Sequence, residues 1–253
     1  MMTKELMREL PSPNVTVSIP WAFDALRRVE SAPHLMRYIT CTVDRGVYIF
    51  DCESEPMREL IATAFDEAFD AHAKYMYPVD VTGFKNPQGR VGSNRFCTMS
   101  DTLASFFTAI IVNSNMLDLL PSNPNAEFEQ VSKYFRAMEY TEGGEHFPHY
   151  DSDFHIGSTG FSSIDTKMTL VAYGNDCETG EIAFIQPHAN DGAGGEVRDW
   201  GRQATEDEIF LKVKPRVGRI AVFDHSMCHT VLPFTDAGGE RRILRGDLIF
   251  QST

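Results

Sequence analysis

From Tyr134 to the C-terminus the chain is cut into short β-rich runs separated by turn residues. The runs are Phe135 to Tyr140, Met168 to Tyr173, Ile182 to Gln186, Ile209 to Val213, Arg219 to Phe223 and Arg242 to Phe250. None is long enough to bury an apolar face alone, so they must pair and then stack. The fold this favours is mainly β with α, a double-stranded β-helix (jelly roll) backed by an N-terminal helical layer. The layer is expected from two stretches. Ser54-Glu55-Pro56 opens a helix with Met57, Leu60, Ile61, Ala64, Phe65, Ala68 and Phe69 on one face. A second helix starts near Ser100-Asp101 and buries Leu103, Phe106, Phe107, Ile110 and Ile111.

Upstream, Tyr38 to Val43 and Val47 to Phe50 flank Asp44-Arg45-Gly46 and predict a hairpin. The segment through Pro20 is punctuated by Pro and Ser and reads as an irregular arm. Residues 1–253 are expected to form a single domain, with about 1–130 as mixed, helical support and about 131–253 as the jelly-roll core. Between Pro187 and Glu208 lies an acidic, Gly-rich insertion, the kind of long loop that serves as a lid or mobile segment.

Charge narrows the partners. The formal net charge is -13, and a nucleic-acid surface needs clustered Lys and Arg, so a nucleic-acid substrate is disfavoured. The longest apolar stretch, Leu103 to Val112, is too short to span a bilayer. The charged N-terminal residues lack an apolar signal core, and the five cysteines are scattered without a C-x-x-C pair. A cytoplasmic protein with reduced thiols is the expectation.

The chemistry is carried by His149-Tyr150-Asp151, answered by His229 and then by Arg241 and Arg245. On a strand, a His-x-Asp pair points both side chains to one face. A distant histidine closes that pair into two imidazoles and one carboxylate on one face of a metal, the ligand pattern of non-heme Fe(II) oxygenases. His225, ending the same apolar strand, is the rival for the third place. Strand alternation puts Arg241, Ile243 and Arg245 on one face and Arg242 on the other. An arginine in such a pocket suits a carboxylate, because its planar fork binds both oxygens. His146, Asp153 and His155 bracket the pair as groups that orient a ligand or face the substrate. Asn94-Arg95, with Arg90 nearby, is placed to reach the pocket mouth.

From about Arg136 to Phe250 the chain resembles the Fe(II)/2-oxoglutarate-dependent dioxygenases of the prolyl 4-hydroxylase type. The resemblance runs through Tyr140, His149, Asp151, the strand from Thr169 to Asn175, Gly180-Glu181, Pro215 to Gly218, His229 and Arg241. It implies Fe(II) held by His149, Asp151 and His229, with 2-oxoglutarate and O2 as co-substrates. Arg241 matches the residue that pairs with the far carboxylate of 2-oxoglutarate, although it lies further beyond the histidine than in the family; Arg245 is the alternative clamp or a second cation. Tyr140 and Tyr173 match positions whose hydroxyls reach 2-oxoglutarate. A carboxylate at Asp151, where halogenating relatives carry a small residue, favours hydroxylation or another oxidation over halogenation. The resemblance implies oxidative decarboxylation to succinate and CO2, coupled to oxidation of an unactivated C–H bond. A small molecule such as an amino acid or metabolite is the expected substrate, with a peptidyl or protein residue as the alternative. A catalytically silent jelly-roll binding protein is the reading from another class. A zinc hydrolase fits the ligands but not the downstream arginine.

Overall fold

The computed structural model describes residues 39–79, 92–113, 116–119, 126–151, 165–186 and 201–252. The opening arm, Arg90, Asp153, His155 and residues 187–200 of the insertion lie outside these.

A hairpin begins the described chain, with β1 (Ile39–Asp44) and β2 (Val47–Cys52) paired so that Asp44 faces Val47. The two linking residues, Arg45 (φ 48°) and Gly46 (φ 85°), both take positive φ. This is the requirement of the tight turn whose twist matches paired strands. Helix α1 (Glu55–His72) follows, started by a proline in its first turn, where a missing N–H costs nothing. Then come β3 (Tyr77–Val79), β4 (Ser93–Met99), α2 (Asp101–Asn113), the single turn α3 (Met116–Leu119) and β5 (Ala126–Val131). The C-terminal strands are β6 (Tyr134–Tyr140), β7 (His146–His149), β8 (Asp165–Tyr173), β9 (Ile182–Ile185), β10 (Ile209–Val213), β11 (Ile220–Asp224), β12 (His229–Val231) and β13 (Arg241–Ser252).

All pairings are antiparallel and fall into two sheets. The larger has nine strands in the order β1-β2-β11-β8-β13-β6-β4-β3, with β5 on the far half of β13. The smaller runs β10-β9-β12-β7. Strands from the first half of the chain, the expected hairpin among them, therefore join the same large sheet. Its β3, β4 and β5 were not expected from sequence.

Alternation along each strand gives the large sheet two different faces. Phe50, Phe96, Phe135, Ala137, Leu170, Ala172, Val222 and Leu244 pack with Met57, Ile61, Phe65 and Phe69 of α1 and Phe106, Phe107 and Ile110 of α2. Met138, Tyr140, Val171, Tyr173, Ala221, Phe223 and Ile243 point the other way and meet Ile182, Phe184, Val213 and Val231 of the small sheet. The two sheets thus enclose a jelly-roll-like interior. No helix among the described residues is long and apolar enough to cross a membrane.

α1 leaves no room for a side chain at Gly174, where an added Cβ would lie 2.2 Å from Phe65 Cδ1. Gly174→Ala is expected to lose about 1–3 kcal/mol by overpacking, read as a lower urea midpoint with unchanged slope. Wild-type stability in that variant would mean that α1 is not held against the sheet at this point.

Candidate metal centre

His149 and His229 face each other across the small sheet, as direct register partners on β7 and β12. Their ring centroids are 4.2 Å apart. The pairing is the device that brings together residues eighty positions apart in sequence. Asp151 follows β7 by two residues, so His-x-Asp does not sit on one strand as its spacing suggested. The chain leaves the strand after His149, and the carboxylate reaches the site from the strand's end. One ligand atom from each of His149, Asp151 and His229 lies within 4.8 Å of the others. His225 is outside this cluster: its Nε2 lies 3.4 Å from Asp247 Oδ1.

The imidazole tautomers follow from hydrogen bonding. His149 Nδ1 is 2.8 Å from the Phe147 carbonyl, and His229 Nδ1 is 3.0 Å from that of Met227. A carbonyl only accepts, so each Nδ1 carries the hydrogen and donates it. That leaves both Nε2 lone pairs for a metal. Burial is the main cause that pushes His149 down to about 3, and it lowers His229 and the neighbouring His146 as well. The rings are therefore neutral near pH 7, the form that ligates.

Asp151 is prepared differently. Burial raises its carboxyl, but Arg245, the two histidines and Thr169 outweigh that and hold it well below the usual carboxylate range. Arg245 Nη2 is 3.0 Å from Oδ1, and Thr169 Oγ1 donates to Oδ2 at 2.6 Å. Arg245 also lies 3.4 Å from Asp247. Sequence offered Arg245 as the alternative clamp or a second cation in the pocket; it does line the cavity, with its guanidinium engaged with the carboxylate of the cluster.

Arg241, on the same face of β13, is fully buried, and its three nitrogens find no hydrogen-bond partner among the described residues. Its guanidinium carbon lies 4.7 Å from the Tyr140 ring centroid and 5.5 Å from that of Tyr173. The Tyr173 hydroxyl is likewise buried without a hydrogen-bond partner, and burial pushes it up to about 12 despite Arg241. At Gly180 (φ 79°) an added Cβ would come 3.0 Å from Arg241 Cδ, so the Gly-Glu turn leaves room for this side chain.

A cavity of about 220 Å³ opens beside the cluster. Tyr140, Val171, Ile182, Phe223, Val231 and Ile243 line its apolar part, while His146, Tyr150, Arg95, Arg136 and Arg245 line the polar part. Arg241 and Tyr173 are not in its wall; Tyr140 both lines the cavity and packs against the Arg241 guanidinium. Arg95 reaches the cavity, as its position suggested. Arg136 was missed, though its two-residue spacing from Met138 and Tyr140 marks it as inward-facing. From the insertion, Gln203 is tied to Val231 O at 2.9 Å and to Glu145 at 3.1 Å. Its described end is thus fastened to the small sheet and is not part of a free lid.

No family model and no curated protein matches the chain. Among solved structures it is similar to a prolyl-4-hydroxylase from Pseudomonas putida, at 14% identity over 90% of this chain and 98% of that one, with a TM-score of 0.50. It is also similar to SnoK, the non-heme alpha ketoglutarate dependent carbocyclase of nogalamycin biosynthesis, at 12% identity over 87% and 83% of the two chains (TM-score 0.51). A third is the prolyl hydroxylase from Trichoplax adhaerens, solved with a hypoxia inducible factor peptide fragment, at 12% identity over 91% and 93% (TM-score 0.50). At such identities the likeness is one of fold.

Two outcomes follow from the cluster. Arg245→Gln removes the group that holds Asp151, and is expected to weaken metal binding about 10- to 100-fold, measured by calorimetric titration with Mn(II). Unchanged affinity would leave Arg245 no such role. In the metal-free protein, a histidine whose pKa is lower folded than unfolded binds fewer protons in the native state. Stability then falls as pH drops from about 6.5 toward the folded value, which for His149 is about 3. His149→Gln should flatten that slope in thermal melts between pH 6.5 and 4; parallel slopes would refute the assignment.

Proposed function

We propose that this chain is a non-heme Fe(II)- and 2-oxoglutarate-dependent oxygenase that hydroxylates or otherwise oxidises an unactivated C–H bond of a small molecule, releasing succinate and CO2. The observation that carries the reading is the convergence of two neutral imidazoles and one ionised carboxylate on a cavity between the two sheets. The fold shared with enzymes of this chemistry supports it.

His149 and His229 would hold the metal through Nε2, and Asp151 through Oδ2, leaving Oδ1 on Arg245. When bound, Fe(II) supplies the redox centre at which O2 and the keto acid are consumed as the substrate C–H bond is oxidised. Arg241 is the residue for the far carboxylate of 2-oxoglutarate. A guanidinium buried without a partner is costly, and a carboxylate answers it with two charge-assisted hydrogen bonds. Tyr173, with an unanswered hydroxyl beside it, donates the next hydrogen bond. Tyr140, which lines the cavity and packs on the Arg241 guanidinium, is the ring that would have to shift for a carboxylate to reach Arg241. Fixing one end of the co-substrate this way orients its keto-acid end toward the ligands.

The substrate side is the polar part of the cavity. Its volume suits a small molecule, and the net charge of -13 speaks against nucleic acid. The similar solved structures include one in complex with a peptide fragment and one from nogalamycin biosynthesis, so a peptidyl residue is the competing substrate.

Anaerobic titration of the metal-free protein with Fe(II) and 2-oxoglutarate tests the reading, through the visible charge-transfer band of the chelate. The band is expected in the wild type, lost in His229→Ala, and formed only at about tenfold or more higher 2-oxoglutarate in Arg241→Ala. Absence of the band from folded, iron-loaded wild type would overturn the proposal and favour a jelly-roll binding protein.

A further inference from the structure

Four rings stand in a row at the ligand cluster. His146 lies face to face with His149, with centroids 3.7 Å apart and planes 19° from parallel. His149 meets His229 at 4.2 Å and 54°, and His229 meets Phe223 at 4.7 Å and 64°. The two candidate ligand imidazoles are therefore enclosed between two rings outside the ligand set. Phe223, at one end, is braced by Phe184 at 4.9 Å. His146 is the other end, and it does not join the mutually close donor atoms of His149, Asp151 and His229.

β7 is built irregularly to put His146 there. Residues three apart on a regular strand point to opposite faces. Between its two pairs with β12, β7 advances three residues, from His146 to His149, while β12 spans only the two steps between His229 and Val231. β7 thus carries one extra residue, a β-bulge, and a bulge re-aims the side chains beside it. Pro148 lies within this stretch, where a proline is tolerated because β7 is the outer strand of the small sheet. Thr230 Oγ1 donates to the His146 carbonyl at 2.5 Å and ties the bulged backbone to β12. His146 and His149 consequently line the same cavity.

We propose that His146 is a positioning residue for the metal centre, its ring face fixing the plane of His149 so that Nε2 is held ready for the metal. The inference rests on the reading of His149 and His229 as metal ligands. The hydrogen bond from His149 Nδ1 to the Phe147 carbonyl holds one edge of the ring but leaves it able to swing about that contact. A flat neighbour on one side, with His229 on the other, removes the swing. A ligand ordered in advance spares the metal that cost, so the contact strengthens binding without touching the metal. What the site needs at position 146 is a flat ring, whatever its polarity.

Three variants separate ring shape from polarity: His146→Phe keeps the face, His146→Gln keeps the polarity, and His146→Ala keeps neither. Mn(II) affinity, measured by calorimetric titration, is expected to weaken about tenfold or more in the Gln and Ala variants, and to stay close to the wild-type value in His146→Phe. In the metal-free protein, the Nδ1–H signal of His149 in histidine-selective nitrogen-15 NMR is expected to be sharp in the wild type and His146→Phe. It is expected to broaden or vanish in the other two variants, with far-UV circular dichroism unchanged. Wild-type affinity and a sharp signal in His146→Ala, or a loss in His146→Phe as large as in His146→Ala, would overturn the proposal. Mn(II) binding that depends on the ring at 146, in a protein that forms no Fe(II)–2-oxoglutarate band, would instead overturn the oxygenase reading and leave the role of His146 standing.

Discussion

The large sheet is solvated by protein on both sides, and everything else follows from keeping those two sides distinct. Along β6, Phe135 and Ala137 face the helices, while Arg136, Met138 and Tyr140 face the small sheet. A register slip of one residue would turn the arginine into an aromatic core and the phenylalanine into the cavity. The penalty for burying a charge among Phe65, Phe107 and their neighbours is what makes the register specific. The helices matter to the site in this indirect way. They consume the apolar face of the sheet and leave the other face able to carry polar groups.

Much of this was readable from sequence because it depends on local periodicity. The apolar stripe from Met57 to Phe69, the hairpin across Arg45-Gly46, and the run into His229 all emerged as structure. Arg241 and Arg245 share a face as period-two reasoning required. Pairing was less legible. Ser93–Met99 carries Asn, Arg, Cys and Thr, and its place in the sheet is decided by β6 beside it, not by its own propensity. That His149, Asp151 and His229 converge was legible, but the way Asp151 reaches the cluster was not, since leaving a strand after His149 is a matter of tertiary geometry.

The two arginines of β13 show what sequence could not divide. Each stands on the inward face, and each is a plausible carboxylate clamp by residue type. Four residues along the strand change their circumstances completely. Arg245 meets Asp151, Asp247 and Thr169, whereas Arg241 meets two tyrosine rings and no acceptor among the described residues. The first arginine is committed to the protein's own carboxylate, and under the proposed function the second would take the co-substrate's.

An unanswered cation sealed in an apolar layer burdens the folded chain but not the unfolded one, where water solvates it. An anion that reaches Arg241 relieves the native state alone, so occupancy and folding become one linked equilibrium. On the proposed function, such a protein would be sturdier where 2-oxoglutarate is plentiful than where it is depleted. Its lifetime, and not only its turnover, would then follow the supply of that metabolite.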